Sequence, residues 1–191
     1  MGIILCMFIV PLSLYMLLCY LGGRTLCQNN STAYNGSKID KKMLLNIIER
    51  TINEANGWQF EEIVAKIFEM NGYNVQLTSK TGDGGKDIIL NHDIYVECKK
   101  YKNNAITNSI VLKLIGACSV DNIKKAIIIT TATYTKSAIE VIENSSNIKI
   151  ERWYTNDLLE MCKEINMLEL LEWIGYDPEE IESISKNNIS V

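Results

Sequence analysis

Apolar positions along this chain follow two periods and one unbroken run, and together these predict its elements. Over 58–71 the apolar residues are Phe60, Ile63, Val64, Ile67 and Phe68. At 100° per residue they span an arc of about 140°, which predicts an amphipathic helix. Leu44, Leu45, Ile48 and Ile52 give a similar stripe over 39–55. Segments 73–78, 87–90 and 94–99 are short and read as strands, in which successive side chains point to opposite faces. Residues 125–131 are almost continuously apolar, as expected of an interior strand buried on both faces. Helices are expected over 106–120, 135–145 and 156–164, a strand over 148–153, and a further acidic helix over 165–183 with Leu168, Leu171, Trp173 and Ile174. From residue 57 onward the order is α-β-β-β-α-β, an α/β core with a central mixed sheet flanked by helices.

The second and third strands carry the chemistry. Asn91-His92-Asp93 suits a three-residue turn, which sets Leu90 opposite Ile94 and therefore Asp87 opposite Glu97. Directly opposed residues have Cβ atoms roughly 5 Å apart, and like charges there are destabilising. Two carboxylates are tolerated in that position chiefly when a cation lies between them. Lys99 shares their face by the alternation of the strand. This donor set suits metal-assisted hydrolysis of phosphate esters. Asp87 and Glu97 are the expected ligands of a hard, oxygen-preferring ion, Mg²⁺, with Mn²⁺ as its substitute. Lys99 is expected to orient or activate the attacking water and to stabilise charge on the phosphate. Glu61, at the edge of the helical apolar arc, is placed to lean towards the hairpin as a third or water-mediated ligand, whereas Glu62 points away. The structural alternatives are a solvated hairpin and an ordinary helix glutamate.

Around this core, Lys80, Lys100, Lys102 and Lys136 are candidates to line the path of a phosphate-ester substrate, and Tyr101 to pack against its organic part. Thr130, Thr131 and Tyr134, at the end of the apolar strand, are candidates for phosphate contacts. Asp83 sits among Gly82, Gly84 and Gly85, a run that either presents N–H groups to a phosphate or makes a tight turn needing positive φ. His92 is the only histidine, so schemes built on paired histidines or a Ser-His-Asp triad cannot be assembled.

Asp87, followed after ten residues by Glu97-Cys98-Lys99, resembles the PD-(D/E)xK nuclease signature. The surroundings sharpen that likeness: Gly57-Trp58-Gln59-Phe60-Glu61-Glu62, Gly72-Tyr73-Asn74-Val75, the 82–87 loop, Gly116-Ala117, Ile127-Ile128-Ile129-Thr130-Thr131 and Thr135-Lys136-Ser137-Ala138. In this order they are similar to the catalytic domain of Mrr-type restriction endonucleases over about residues 57–162. Many members of that family carry Gln where this chain has Glu97. The resemblance implies a restriction-endonuclease-like fold, a double-stranded DNA substrate, 5′-phosphate and 3′-hydroxyl products, and a role in defence against foreign or modified DNA. Rival readings are a non-catalytic DNA-binding or membrane-adaptor protein, or a repair or RNA nuclease on the same fold. No separate recognition domain is evident in 24–56. Specificity is therefore expected to come from a partner protein or to be low; a homodimer is the other expected partnership.

Composition adds an anchor and places the charge. Residues 1–23 carry no charge, and 3–21 are apolar apart from Ser13. Nineteen residues at 1.5 Å each reach about 28 Å, close to a bilayer's hydrocarbon thickness. A cleaved signal peptide ending near Gly22-Gly23 is the alternative, but a basic leading region is missing and the apolar run is long for one. Arg24, Lys38, Lys41 and Lys42 follow the segment, so a single-pass membrane protein with its C-terminal side in the cytoplasm is expected. The expected divisions are an anchor at 1–23, a linker and helix at 24–56, a nuclease domain at 57–164 and an acidic helical extension at 165–191. The net charge is −4, but residues 24–150 balance at +3 and 151–191 at −7. The acidic excess thus lies outside the expected site. Cys98, Cys118 and Cys162 are far apart in sequence, as reduced buried thiols would be.

Overall fold

The structure, a computed structural model, describes residues 40–78 and 85–187. The expected anchor at 3–21, the linker through 39, Lys80 and Asp83 lie outside the described residues. Among the described residues no helix is long and apolar enough to cross a membrane.

Helix α1 (Lys41–Glu54) starts behind Asp40, whose carboxylate accepts from Lys42 N–H, and buries Met43, Leu44, Ile47, Ile48 and Ile52. Leu45 lies at the edge of that stripe, only partly buried. Helix α2 (Gly57–Met70) begins with a capping box: Asn56 and Gln59 exchange side-chain-to-backbone hydrogen bonds of 3.0 Å in each direction. Each bond satisfies an N–H that the first turn leaves without an intrahelical partner. The predicted stripe of Phe60, Ile63, Val64, Ile67 and Phe68 is buried.

Strands β1 (Val75–Leu77), β2 (Ile88–Leu90), β3 (Ile94–Lys99), β4 (Lys125–Thr130) and β5 (Lys149–Tyr154) form one sheet in that spatial order. The first three pair antiparallel, whereas β3–β4 and β4–β5 pair parallel. Parallel neighbours need crossovers, supplied by α3 (Asn108–Val120) and α4 (Lys136–Glu143). Helices α5 (Thr155–Cys162), α6 (Met167–Ile174) and α7 (Pro178–Asn187) follow.

The pleat sorts the core into two faces. Ile88, Leu90, Val96, Cys98, Ile127 and Ile129 pack with α1, α2, α5 and α6. Tyr95, Ala126 and Ile128 pack with Val111, Leu114 and Cys118 of α3 and with Ala138 and Ile142 of α4. Glu97 and Lys99 share the parity of Tyr95 and therefore belong to the α3 side of β3. Cys98, Cys118 and Cys162 are buried free thiols, as expected.

One element differs from its prediction. The single helix expected over 165–183 is two, because Gly175 adopts φ 116° and ends α6. Its N–H bonds Glu172 O at 3.1 Å, and Tyr176 N–H bonds Leu171 O at 3.0 Å, a Schellman arrangement that glycine adopts without a Cβ penalty. Pro178 then opens α7. In α6 the buried residues are Met167, Leu170 and Leu171, and Trp173 is half exposed.

Candidate active site

The turn at 91–93 forms with Asn91 and His92 at φ 51° and 66°, and Asp93 N–H closes on Leu90 O at 3.1 Å. Leu90 pairs with Ile94 and Ile88 with Val96, the register expected from the turn. Asp87 precedes β2 by one residue and donates its N–H to Val96 O at 2.8 Å. Its side chain turns back onto β3, where Cys98 N–H donates to Oδ2 at 2.6 Å.

Asp87 and Glu97 are 8% and 3% exposed. Lys99 Nζ lies 2.6 Å from Glu97 Oε1 and 3.7 Å from Asp87 Oδ2, and it also donates to Cys98 O at 3.1 Å. Glu97 Oε2 is buried and accepts no hydrogen bond. An unmatched carboxylate oxygen at that depth costs free energy unless something positive meets it. Burial first, and then the neighbouring Asp87 charge, push the Glu97 carboxyl above its usual range despite Lys99. Burial alone would lower Lys99, but the attraction and hydrogen bond of Glu97, with Asp87 behind them, outweigh it and raise the ammonium's pKa.

Two buried carboxylates, one with an orphaned oxygen, fit a hard divalent cation. Among the described residues no three His, Cys, Asp or Glu side chains are grouped to hold a metal ion. The protein would thus supply two carboxylates and leave the remaining positions to water and phosphate, as Mg²⁺ commonly accepts.

Glu61 lies near the start of α2, and its charge reaches Cys98, the residue between Glu97 and Lys99. Burial first, and then Asp87, Glu61 and Glu97, drive that thiol's pKa well upward. Glu62 lines a separate groove of about 440 Å³ with Thr51, Trp58 and Trp173.

Other candidate side chains are committed to the backbone. Thr130 Oγ1 donates to Lys99 O at 2.7 Å, which fixes the carbonyl beside the lysine. Thr131 Oγ1 donates to Tyr101 O at 3.0 Å and accepts from Tyr101 N–H at 3.2 Å. Tyr134 donates its hydroxyl to Ile128 O at 2.8 Å. Phosphate oxygens only accept, so hydroxyls already donating inward have no proton left for them. Lys100 points to α1 and donates to Asn53 O at 3.0 Å, where a cation suits the carbonyl end of a helix. Lys102 is exposed, and Lys136 lies 4.0 Å from Glu140 on the α4 surface.

Sequence reasoning missed a second set of contacts around the start of the hairpin. Lys86 Nζ lies 2.6 Å from Asp121 Oδ2, and Tyr95 donates its hydroxyl to the same oxygen at 2.6 Å. This clasp joins the chain just before β2 to the end of α3. Lys113, also in α3, reaches the site from above: its stem covers Gly85, and its charge favours the carboxylate form of Glu97. The available signal was that Lys113 is the one charged residue in α3.

Residues 52–162, more than half of the chain, match a family model described as restriction endonuclease, the Mrr catalytic domain. The chain belongs to that family. It is 26% identical over 111 residues to "Uncharacterized protein y4cE" of Sinorhizobium fredii (strain NBRC 101917 / NGR234), a match covering 54% of this chain and 28% of that protein. In fold it resembles the DNA modification-dependent restriction endonuclease AspBHI, with TM-score 0.51 and 16% identity, over 83% of this chain and 43% of that one. A protein of unknown function, AF1548, aligns with TM-score 0.46 and 13% identity over 69% of this chain and 96% of its own length. The chain thus spans under a third of the curated relative and under half of AspBHI. The shared architecture is the restriction-endonuclease-like α/β fold, with a five-stranded sheet between helices.

Proposed function

We propose that this member of the restriction endonuclease family is a Mg²⁺-dependent endodeoxyribonuclease, anchored to the membrane by residues 3–21, with its nuclease domain in the cytoplasm. Its role would be restriction or defence against foreign DNA. The observation that carries the catalytic part of this reading is Glu97, whose carboxylate is buried beside Asp87 and Lys99 with Oε2 unmatched. A scaffold gains nothing from two like charges held in that position.

In this reading Asp87 and Glu97 hold the cation, with Mn²⁺ as a substitute, and Glu61 acts through an intervening water. When bound, the cation would polarise the phosphoryl group and favour a hydroxide nucleophile. The protein's own contribution is placement. Cys98 N–H fixes the Asp87 carboxylate, and Thr130 fixes the Lys99 carbonyl. The Lys99 ammonium would orient the attacking water and stabilise negative charge that grows on the phosphate. Exposed Lys102 and Lys136 lie on surfaces available to a DNA backbone. Selectivity would come from a partner protein or a second copy, and the acidic extension at 165–191 would stay clear of the duplex.

The test is nicking of supercoiled plasmid, methylated and unmethylated, by the full chain in detergent with Mg²⁺, Mn²⁺ or EDTA. Metal-dependent conversion to open-circle DNA is expected. A folded protein inert with both metals on both substrates would overturn the enzymatic reading. For the anchor, the chain should remain in the membrane pellet after a carbonate wash. Its recovery from culture medium with a new N-terminus near Arg24 would overturn that part.

A further inference from the structure

Gly85 has φ 92°, a conformation that suits glycine and strains residues with a Cβ. A Cβ built there would lie 2.8 Å from Lys113 Cγ and 2.9 Å from Cδ. The Lys113 stem therefore runs directly across the backbone two residues before Asp87. Its residue is exposed, yet its charge acts on buried Glu97. The carboxylate pair thus lies within the influence of two ammonium groups from different elements: Lys99 from β3, against Glu97, and Lys113 from α3, at the solvent side.

The placement of Lys113 is built in. Lys86, adjacent to Gly85, binds Asp121 at the end of α3 at 2.6 Å, and Tyr95 from β3 binds the same carboxylate. The Lys86 ammonium also lies 4.3 Å from the Tyr95 ring centroid. The loop that leads into Asp87 is therefore fastened to α3 twice, through Gly85 against Lys113 and through Lys86 against Asp121. A helix held in this way carries its lone cation to a fixed place beside the carboxylates. Lys99 lies inside, against Glu97, whereas the Lys113 stem crosses the backbone that leads into Asp87.

We propose that Lys113 is a phosphate-binding residue of this site, contacting a non-bridging oxygen of the DNA phosphodiester presented to Asp87 and Glu97. This deepens the nuclease reading and rests on it. Gly85 is required because only a residue without a side chain lets the lysine stem cross the loop. Lys113 would act by holding substrate through charge, a contact that an uncharged side chain of the same length cannot make.

Three variants of the full chain in detergent separate charge from packing. Lys113→Met keeps the stem over Gly85, Lys113→Arg keeps the charge, and Lys113→Ala removes both. Plasmid nicking gives kcat and KM, and anisotropy of a fluorescein-labelled DNA duplex in Ca²⁺ gives affinity as a function of salt. Lys113→Met should weaken binding about tenfold, as loss of one charge-assisted contact would. Its salt slope should flatten by about one. Lys113→Arg should restore most of the affinity, and Lys163→Met, which removes a charge from the α5 end, should match the wild type. Lys113→Met within twofold of wild type in affinity and kcat/KM, beside an active wild type, would overturn this inference alone. So would an impaired Lys113→Met that arginine at the same position does not improve. A wild type that neither binds nor nicks DNA would overturn the nuclease reading first.

Discussion

The Cys98 N–H donates to Asp87 Oδ2 across the hairpin at 2.6 Å, so the two carboxylates of the site are not equivalent. Asp87 is part of the hairpin's hydrogen bonding, whereas Glu97 has an oxygen with no partner. Removing Asp87 strands a buried donor, at a cost of about 1–3 kcal/mol. Removing the charge of Glu97 relieves burial and the repulsion of Asp87. In EDTA, Asp87→Ala should therefore melt below the wild type, and Glu97→Gln should melt level with it or above. Both should lose metal-dependent nicking. Full activity in either variant would sink the site assignment, and equal destabilisation of both would refute the asymmetry.

The raised Glu97 pKa has a definite sign in pH. A carboxyl whose folded-state pKa lies above its unfolded value favours folding in the protonated form. Its contribution is complete below the unfolded pKa and is lost as pH rises through the folded one. A cation bound by Glu97 needs the deprotonated form. The melting-temperature gain from Mg²⁺ should thus grow with pH from the ordinary glutamate range upward through the raised folded value. In Glu97→Gln that growth should disappear. A Mg²⁺ gain that does not change with pH in the wild type would remove Glu97 from the ligand set.

The two glutamates at the start of α2 offer an internal control. Glu61 influences Cys98 beside the site, while Glu62 lines the groove with Trp58 and Trp173. Glu61→Ala should lower kcat by about tenfold or more, in the range of an outer-sphere ligand, and Glu62→Ala should leave nicking unchanged. Equal and negligible effects would confine the site to Asp87, Glu97 and Lys99.

Much of this arrangement could be read from the chain because it rests on local rules. The turn at 91–93 and the period of two place Asp87, Glu97 and Lys99 on one face without knowledge of any other element. The burial of Phe60 to Phe68 follows from helical phase alone. The missing parts depend on contacts between distant segments. Lys86 and Asp121 are 35 positions apart, and no periodicity predicts that a helix lysine will cross a glycine backbone. Thr131 shows another limit. Its place at a strand end suggested phosphate, but the backbone of Tyr101, 30 positions away in sequence, claims the hydroxyl, a contact that no local rule anticipates. The split of α6 from α7 was visible in Gly175 and Pro178, and the apolar spacing across them hid it.

Lys99 provides the sharpest test of how the roles are divided. Its ammonium is close to both carboxylates but is not itself a metal ligand, since an ammonium has no lone pair to give. Lys99→Ala should therefore reduce kcat by about 10²–10³-fold, the range for loss of a donor aimed at developing charge. It should leave Mg²⁺ binding, followed by the melting shift, largely in place. Lys99→Arg should rescue poorly, because the planar guanidinium differs in shape from the compact ammonium and presents its donors in a fixed fork. Glu97 would lose its 2.6 Å partner in the alanine variant, so its carboxyl should be still harder to ionise. The Mg²⁺-dependent stabilisation should accordingly begin at higher pH than in the wild type. If Lys99→Ala abolished Mg²⁺ binding at every pH as fully as Asp87→Ala, the lysine would be holding the carboxylates in place, and its part in the chemistry would have to be given up.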